Sequence, residues 1–174
     1  MTGLLSLIER LATWRGLTLL ILLYLLVFGA ILMTVWQLSA ASGGYGILDF
    51  DRGYTVDRVH EVLGSYGERG MVLYRRIQLL DLVNPALYAL LLACLTHLLW
   101  RGAGPRWVAL LPLLGGLGDY AENVTLFLIV SAYPDISTGL VALSSTLSLV
   151  KNGLLAVTVL ALLAGVVLRR RARS

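Results

Sequence analysis

The sequence predicts an all-α integral membrane protein, a four-transmembrane-helix bundle with cytoplasmic N and C termini and an outer amphipathic helical loop. Three observations lead there. Hydrophobic residues make up 58% of the chain and charged residues only 14%, against about 25% charged in an average soluble domain. The apolar residues come in blocks of roughly twenty, the length a helix needs to cross about 30 Å of hydrocarbon. Arginines collect at the ends that belong on one side of such a bundle. A soluble helical bundle would need regular polar faces, and these blocks have few polar positions.

Taken in order, Leu4, Leu5, Ile8, Leu11 and Trp14 recur at helical spacing and predict a short interfacial helix ahead of the first span. That span covers about 17–38. The small-residue run Ser39-Ala40-Ala41-Ser42 resembles a signal-peptidase site. The apolar run before it is too long for a signal-peptide core of roughly 7–15 residues, so it is expected to remain as a span. The loop 39–76 opens on Gly43-Gly44-Tyr45-Gly46. Thr55 is placed to cap a helix reaching about Ser65, with Val56, Val59, Leu63 and Tyr66 on one face and Asp57, Arg58 and Glu61 elsewhere. Such a helix lies on the outer surface or across the top of the bundle, as a shield or as a lid. Gly64, Gly67 and Gly70 then permit a turn into the second span, about 77–100. The third span covers about 107–132 and the fourth about 136–168. Pro134 separates them, because proline cannot continue a helical ladder. The fourth exceeds what a crossing requires, and tilt absorbs the excess. The chain, 1–174, reads as one membrane domain.

Orientation follows from charge. Arg10, Arg15, Arg101, Arg106, Arg169, Arg170, Arg171 and Arg173 fall on one side, which the positive-inside rule makes cytoplasmic. In the first loop Arg52, Arg58, Arg69, Arg75 and Arg76 are balanced by Asp49, Asp51, Asp57, Glu61 and Glu68. The expected location is a plasma membrane of bacterial type. No basic face interleaved with aromatics marks a nucleic-acid module.

Cysteine and histidine add little chemistry. One thiol, Cys94, excludes an internal disulfide and a Cys-x-x-Cys redox site. His60 and His97 are too few and too far apart for zinc or haem, so no cofactor and no metal is expected.

The informative residues are ionisable groups inside apolar stretches: Asp81, Asp119, Glu122 and Lys151. Each costs roughly 2.5–3.5 kcal/mol to insert at a helix centre, so they are expected to compensate one another. Asn84 and Tyr88 share the face of Asp81 at i+3 and i+7, and Pro85 frees the Asp81 carbonyl, which predicts a kink. Gly-Asp-Tyr-Ala-Glu-Asn, residues 118–123, puts Asp119, Glu122 and Asn123 on one face. Gly115, Gly116 and Gly118 before it allow close helix approach. Ser144, Ser148, Lys151 and Asn152 form the polar face of the fourth span. At helical rise, Asp81 lies roughly 7 Å below the outer interface, while Asp119 and Lys151 lie roughly 20 Å and 27 Å from the cytoplasmic side. The three helices therefore bring these groups to the outer half of the membrane.

Two carboxylates at i and i+3 repel unless one is protonated or a cation sits between them. An ion pair of Lys151 with Glu122 or Asp119 would fix helix register. The excess acids would then be free for proton transfer. One reading is an enzyme acting on a lipid or isoprenoid-like substrate. In it Asp119, Glu122 and Lys151 are catalytic, with Glu122 transferring the proton. Asp81, Asn84, Tyr88, Asn123 and Asn152 bind substrate, and Tyr120, Tyr88 and Trp36 supply aromatic lining. A second reading is a small ion-coupled transporter, which would need to dimerise because four spans leave no evident aqueous path and no matched half-repeats. A third is an accessory or assembly subunit of a larger membrane complex, with the ion pair purely structural. The partners expected are a membrane lipid or hydrophobic small molecule and a homodimer or membrane-complex partner, with no nucleic acid. Serine-hydrolase, phosphate-loop and metalloprotease signatures are absent.

Overall fold

A computed structural model describes residues 2–48, 51 and 53–171, all of it helix and connecting turn. The loop charges Asp49 and Arg52 and the terminal Arg173 lie outside the described residues. Among the described residues seven α-helices form: α1 (Thr2–Leu11), α2 (Trp14–Ala41), α3 (Val56–Ser65), α4 (Gly67–Leu80), α5 (Asn84–Trp100), α6 (Leu111–Ala132) and α7 (Thr138–Arg171). A 3₁₀ turn, Arg106–Leu110, leads into α6. Among the described residues four helical stretches are long and apolar enough to cross a membrane: Trp14–Ala41, Gly67–Trp100, Arg106–Ala132 and Thr138–Arg171.

The surface is inverted relative to a water-soluble bundle. Leu22, Leu26, Met33, Leu160 and Leu163 are exposed, while Asp119, Glu122 and Lys151 are buried. An apolar surface that extensive is stable only against lipid or another apolar partner. Cohesion inside the bundle comes from close packing and polar contacts. Glycine supplies the close packing on α6. A Cβ at Gly116 would sit 2.8 Å from the Ala89 Cβ and 3.2 Å from the Pro85 carbonyl oxygen of α5. A Cβ at Gly115 would meet Leu155 of α7 at 3.2 Å. The bare face of α6 thus lets α5 and α7 approach together.

The second crossing departs from a simple span. Helix begins at Gly67, ten residues before the expected start, because Gly70 and Tyr74 pack inward although charged residues surround them. Gly70 is therefore a packing residue inside a helix, and the turn falls at Tyr66–Gly67, where Gly67 takes φ +55°. The helix then breaks. The amides of Leu82 and Val83 turn to the carbonyls of Leu79 and Leu80, and α5 resumes at Asn84 with Pro85 in its first turn. The kink expected at Pro85 is a complete interruption over 81–83.

Helix α3 is capped by Thr55, whose hydroxyl accepts from the Arg58 amide at 3.3 Å. It buries Val59, Val62 and Leu63, with Tyr66 just beyond, against a core that includes Leu38, Tyr74, Ile129 and Val141. This face closes the end of the bundle where α2 and α6 finish and α4 and α7 begin. At the other end, α1 docks through Ile8 onto Ala93 and Cys94 of α5. Of its predicted apolar face, Leu4 and Trp14 are exposed. On the surface of α3, Tyr45 donates to Glu61 at 2.8 Å, and Arg58 bridges Glu61 and Asp51. The Tyr45 hydroxyl, and then the Arg58 guanidinium, hold the Glu61 carboxyl below its ordinary range.

Two predictions follow from this packing. Gly116→Leu should lower stability by about 1–3 kcal/mol through overpacking, read as thermal unfolding in detergent, while Gly153→Ala, which faces open space, should not. Because the Glu61 carboxyl is depressed in the folded chain, its contribution is present above the unfolded value of about 4.3 and is lost as pH falls through the folded one. Hydrogen exchange over Val56–Ser65, corrected for intrinsic rates, should accelerate on acidification from roughly pH 5 to pH 3, and Tyr45→Phe should reduce that dependence.

Candidate functional site

The i, i+3 spacing of Asp119 and Glu122 turns both carboxyls toward α7. Gly118 lets that helix come close: a Cβ there would lie 3.5 Å from the Lys151 Cα. Lys151 Nζ donates to Asp119 Oδ1 at 3.1 Å and also pairs with Glu122 Oε2. The cation sits between the two acids, as their mutual repulsion requires. All three are removed from solvent, Glu122 completely at 0% exposure. The Ser148 hydroxyl, also fully buried, neighbours the Glu122 carboxyl.

Asp81 is held differently. Asn84 donates to its Oδ1 at 2.9 Å and Asn123 to its Oδ2 at 2.8 Å. It therefore receives two amides. The helix break is held from α6 as well. Asn123 reaches the freed Asp81 carbonyl at 3.3 Å, and the Tyr120 hydroxyl donates to the Leu82 carbonyl at 2.8 Å. Tyr88 donates to Asp119 Oδ2 at 2.8 Å, so this carboxylate carries a phenol on one oxygen and the ammonium on the other.

These groups border a cleft of about 430 Å³ between α2, α5 and α7. Its polar wall is Asp81, Asn84, Tyr88, Asp119, Lys151 and Asn152; its apolar wall includes Tyr24, Phe28, Leu91, Leu92 and Leu155. Tyr24 and Phe28 stack with ring centroids 5.3 Å apart. A second, more apolar cleft of about 500 Å³ lies between α4 and α6 and is lined by Gln78, Tyr120, Asn123 and Phe127 among others. Asp81 and Ile77 border both clefts.

Of the eight residues singled out from sequence, six line the first cleft. Glu122 does not: it stands behind Lys151, against the α6–α7 contact. Asn123 borders the second cleft. Asn152, one position past Lys151, is turned about 100° from it on the helix and is exposed at the rim. Trp36 is 75% exposed and lines neither cleft, and Tyr120 serves the helix break. Sequence reasoning missed the α2 wall, because Tyr24, Phe28 and Ile31 lie in a helix apolar on every side. It also missed a hydroxyl chain behind the cluster. Thr125 donates to the Ser144 hydroxyl at 2.7 Å, and Ser144 shares a 2.6 Å hydrogen bond with Tyr54. Tyr54 lies in a polar loop, where nothing in its spacing ties it to α7. Among the described residues no three His, Cys, Asp or Glu side chains gather as metal ligands.

Comparison with protein-family models, curated proteins and solved structures finds no match.

Removing the ammonium strands two buried carboxyls. Lys151→Met should cost about 3–5 kcal/mol of stability, measured as unfolding in detergent. The deficit should shrink at acidic pH, where the stranded carboxyls take up protons and their repulsion falls.

Proposed function

We propose that the chain is an integral membrane enzyme that uses its buried carboxylates for acid–base chemistry on a lipid or isoprenoid-like substrate. The observation that carries this reading is the first cleft, where Asp81, Tyr88, Asp119 and Lys151 converge on one side of an otherwise apolar groove. Such a groove suits a ligand with a long apolar body and one reactive or polar position. Asp119 is the proton-transferring group, since it borders the cleft and its second oxygen holds the Tyr88 hydroxyl as a proton donor. Lys151 keeps that carboxylate charged and oriented. Glu122, out of reach of the cleft, counterbalances the lysine. Asp81 and Asn84 hold the substrate's polar end, and the tail runs along Tyr24, Phe28 and Leu155.

The proposed orientation has both termini in the cytoplasm of a bacterial-type plasma membrane, with α3 on the outer side. It rests on Arg10, Arg15, Arg101, Arg106 and the arginines from 169 onward sharing one end. The cleft then lies in the outer half of the bilayer, open to a lipid-borne substrate. One observation favours a second reading, an accessory subunit: Lys151 is shared between two buried acids, the arrangement of a register-fixing pin.

Deuterium transfer separates the two readings. Wild-type protein in lipid nanodiscs made with D₂O, supplied with co-purified lipid and a panel of unsaturated isoprenoid lipids, should exchange a carbon-bound hydrogen for deuterium, read by mass spectrometry. Asp119→Asn should reduce that exchange by about 10²-fold or more, and Tyr88→Phe, which changes no charge, should also lower it. Absence of protein-dependent exchange, or equal exchange in both variants, would rule the enzyme reading out.

A further inference from the structure

At the end of the bundle opposite α3, a polar hollow of about 460 Å³ lies between α1, the end of α5 and the turn before α6. Glu9, His97, Trp100, Arg101 and Arg106 line it. It shares no residue with either cleft described above.

The hollow is a built structure. Trp100 forms its floor and is fixed by an indole N–H donated to the Ala161 carbonyl at 2.9 Å. The returning loop lies flat against that ring: a Cβ at Gly104 would sit 2.6 Å from Cε3. Gly102 makes the turn at φ +77°. On the α1 side the hollow is closed by the ion pair of Glu9, on α1, with Arg106 of the turn before α6. Arg101, by contrast, makes no ion pair among the described residues, and it lines the hollow together with His97. Two arginines against one glutamate leave the hollow net positive, with a five-donor fork available for an anion.

The surroundings are those of a membrane interface. Leu4, Leu7, Trp14 and Trp107 are exposed at this same end, and Arg169 reaches across to the Leu98 carbonyl at 3.0 Å. Tryptophan and arginine collect at headgroup level, and basic pockets between spanning helices take lipid phosphates. We infer that this hollow binds the phosphate of an anionic phospholipid headgroup, with Arg101 as the principal contact and His97 and Arg106 beside it, while the acyl chains follow the exposed apolar residues of α1. The inference stands apart from the proposed enzymatic reading.

Retention of phosphatidylglycerol against phosphatidylcholine by the full chain in detergent, followed by native mass spectrometry, tests it. Wild-type protein should retain phosphatidylglycerol preferentially. Arg101→Gln should weaken that retention about fivefold, the effect of one interfacial arginine. Glu9→Gln should strengthen it by freeing Arg106, an opposite sign that loss of folding would not produce. Arg76→Gln, at the other end of the bundle, should leave it unchanged. Equal retention of both lipids, unchanged retention in Arg101→Gln, or weaker retention in both hollow variants would overturn the inference. So would displacement of the lipid by millimolar inorganic phosphate, which would mark the hollow as a site for soluble anions.

Discussion

One amine shared by two acids governs the interior of this bundle. Lys151 meets Asp119 and Glu122 in a buried setting, and there an uncompensated charge costs more than almost any packing defect. The pairing demands that α7 stand close to α6 at one height and one rotation. Glycines at 115 and 118 make that distance attainable. Once α6 and α7 are fixed, Gly116 sets α5 against the same surface, and Tyr88 and Asn123 join it to the polar cluster. Sliding either helix by a single residue would separate the lysine from its acids.

The helix break at 81–83 belongs to the same arrangement. Pro85 prevents the usual bond to the Asp81 carbonyl, and bare backbone polar groups are costly in apolar surroundings. Asn123 and Tyr120 take up the two carbonyls from α6. The residues that make the third crossing look most polar thus satisfy a defect in the second crossing. Part of that polarity therefore serves the backbone of a neighbouring helix.

Much of this was legible in the sequence, because charge is scarce in apolar segments and every exception stands out. The four long apolar helical stretches, the cap at Thr55, the glycine-rich approach and the convergence of Asp81, Asp119 and Lys151 all follow from spacing and hydropathy. Spacing fixes which face of a helix a residue occupies but not the relative height of two helices. Glu122 and Asp119 were therefore indistinguishable as partners of Lys151, and only one of them borders the cleft. The early start of α4 was hidden for a different reason. Gly67–Arg76 is rich in charge, so its hydropathy is that of a loop, whereas Gly70 and Tyr74 give it an inward face. The α2 wall was invisible because apolar residues facing a cavity and apolar residues facing lipid look alike.

Asp81 and Ile77 form a partition with a compartment on either side. A thin dividing wall cannot move toward one chamber without receding from the other. Any shift of Asp81, at the start of the unwound segment, therefore trades room between the two spaces, enlarging one at the expense of its neighbour, with Asn84 and Asn123 as the tethers that limit its travel.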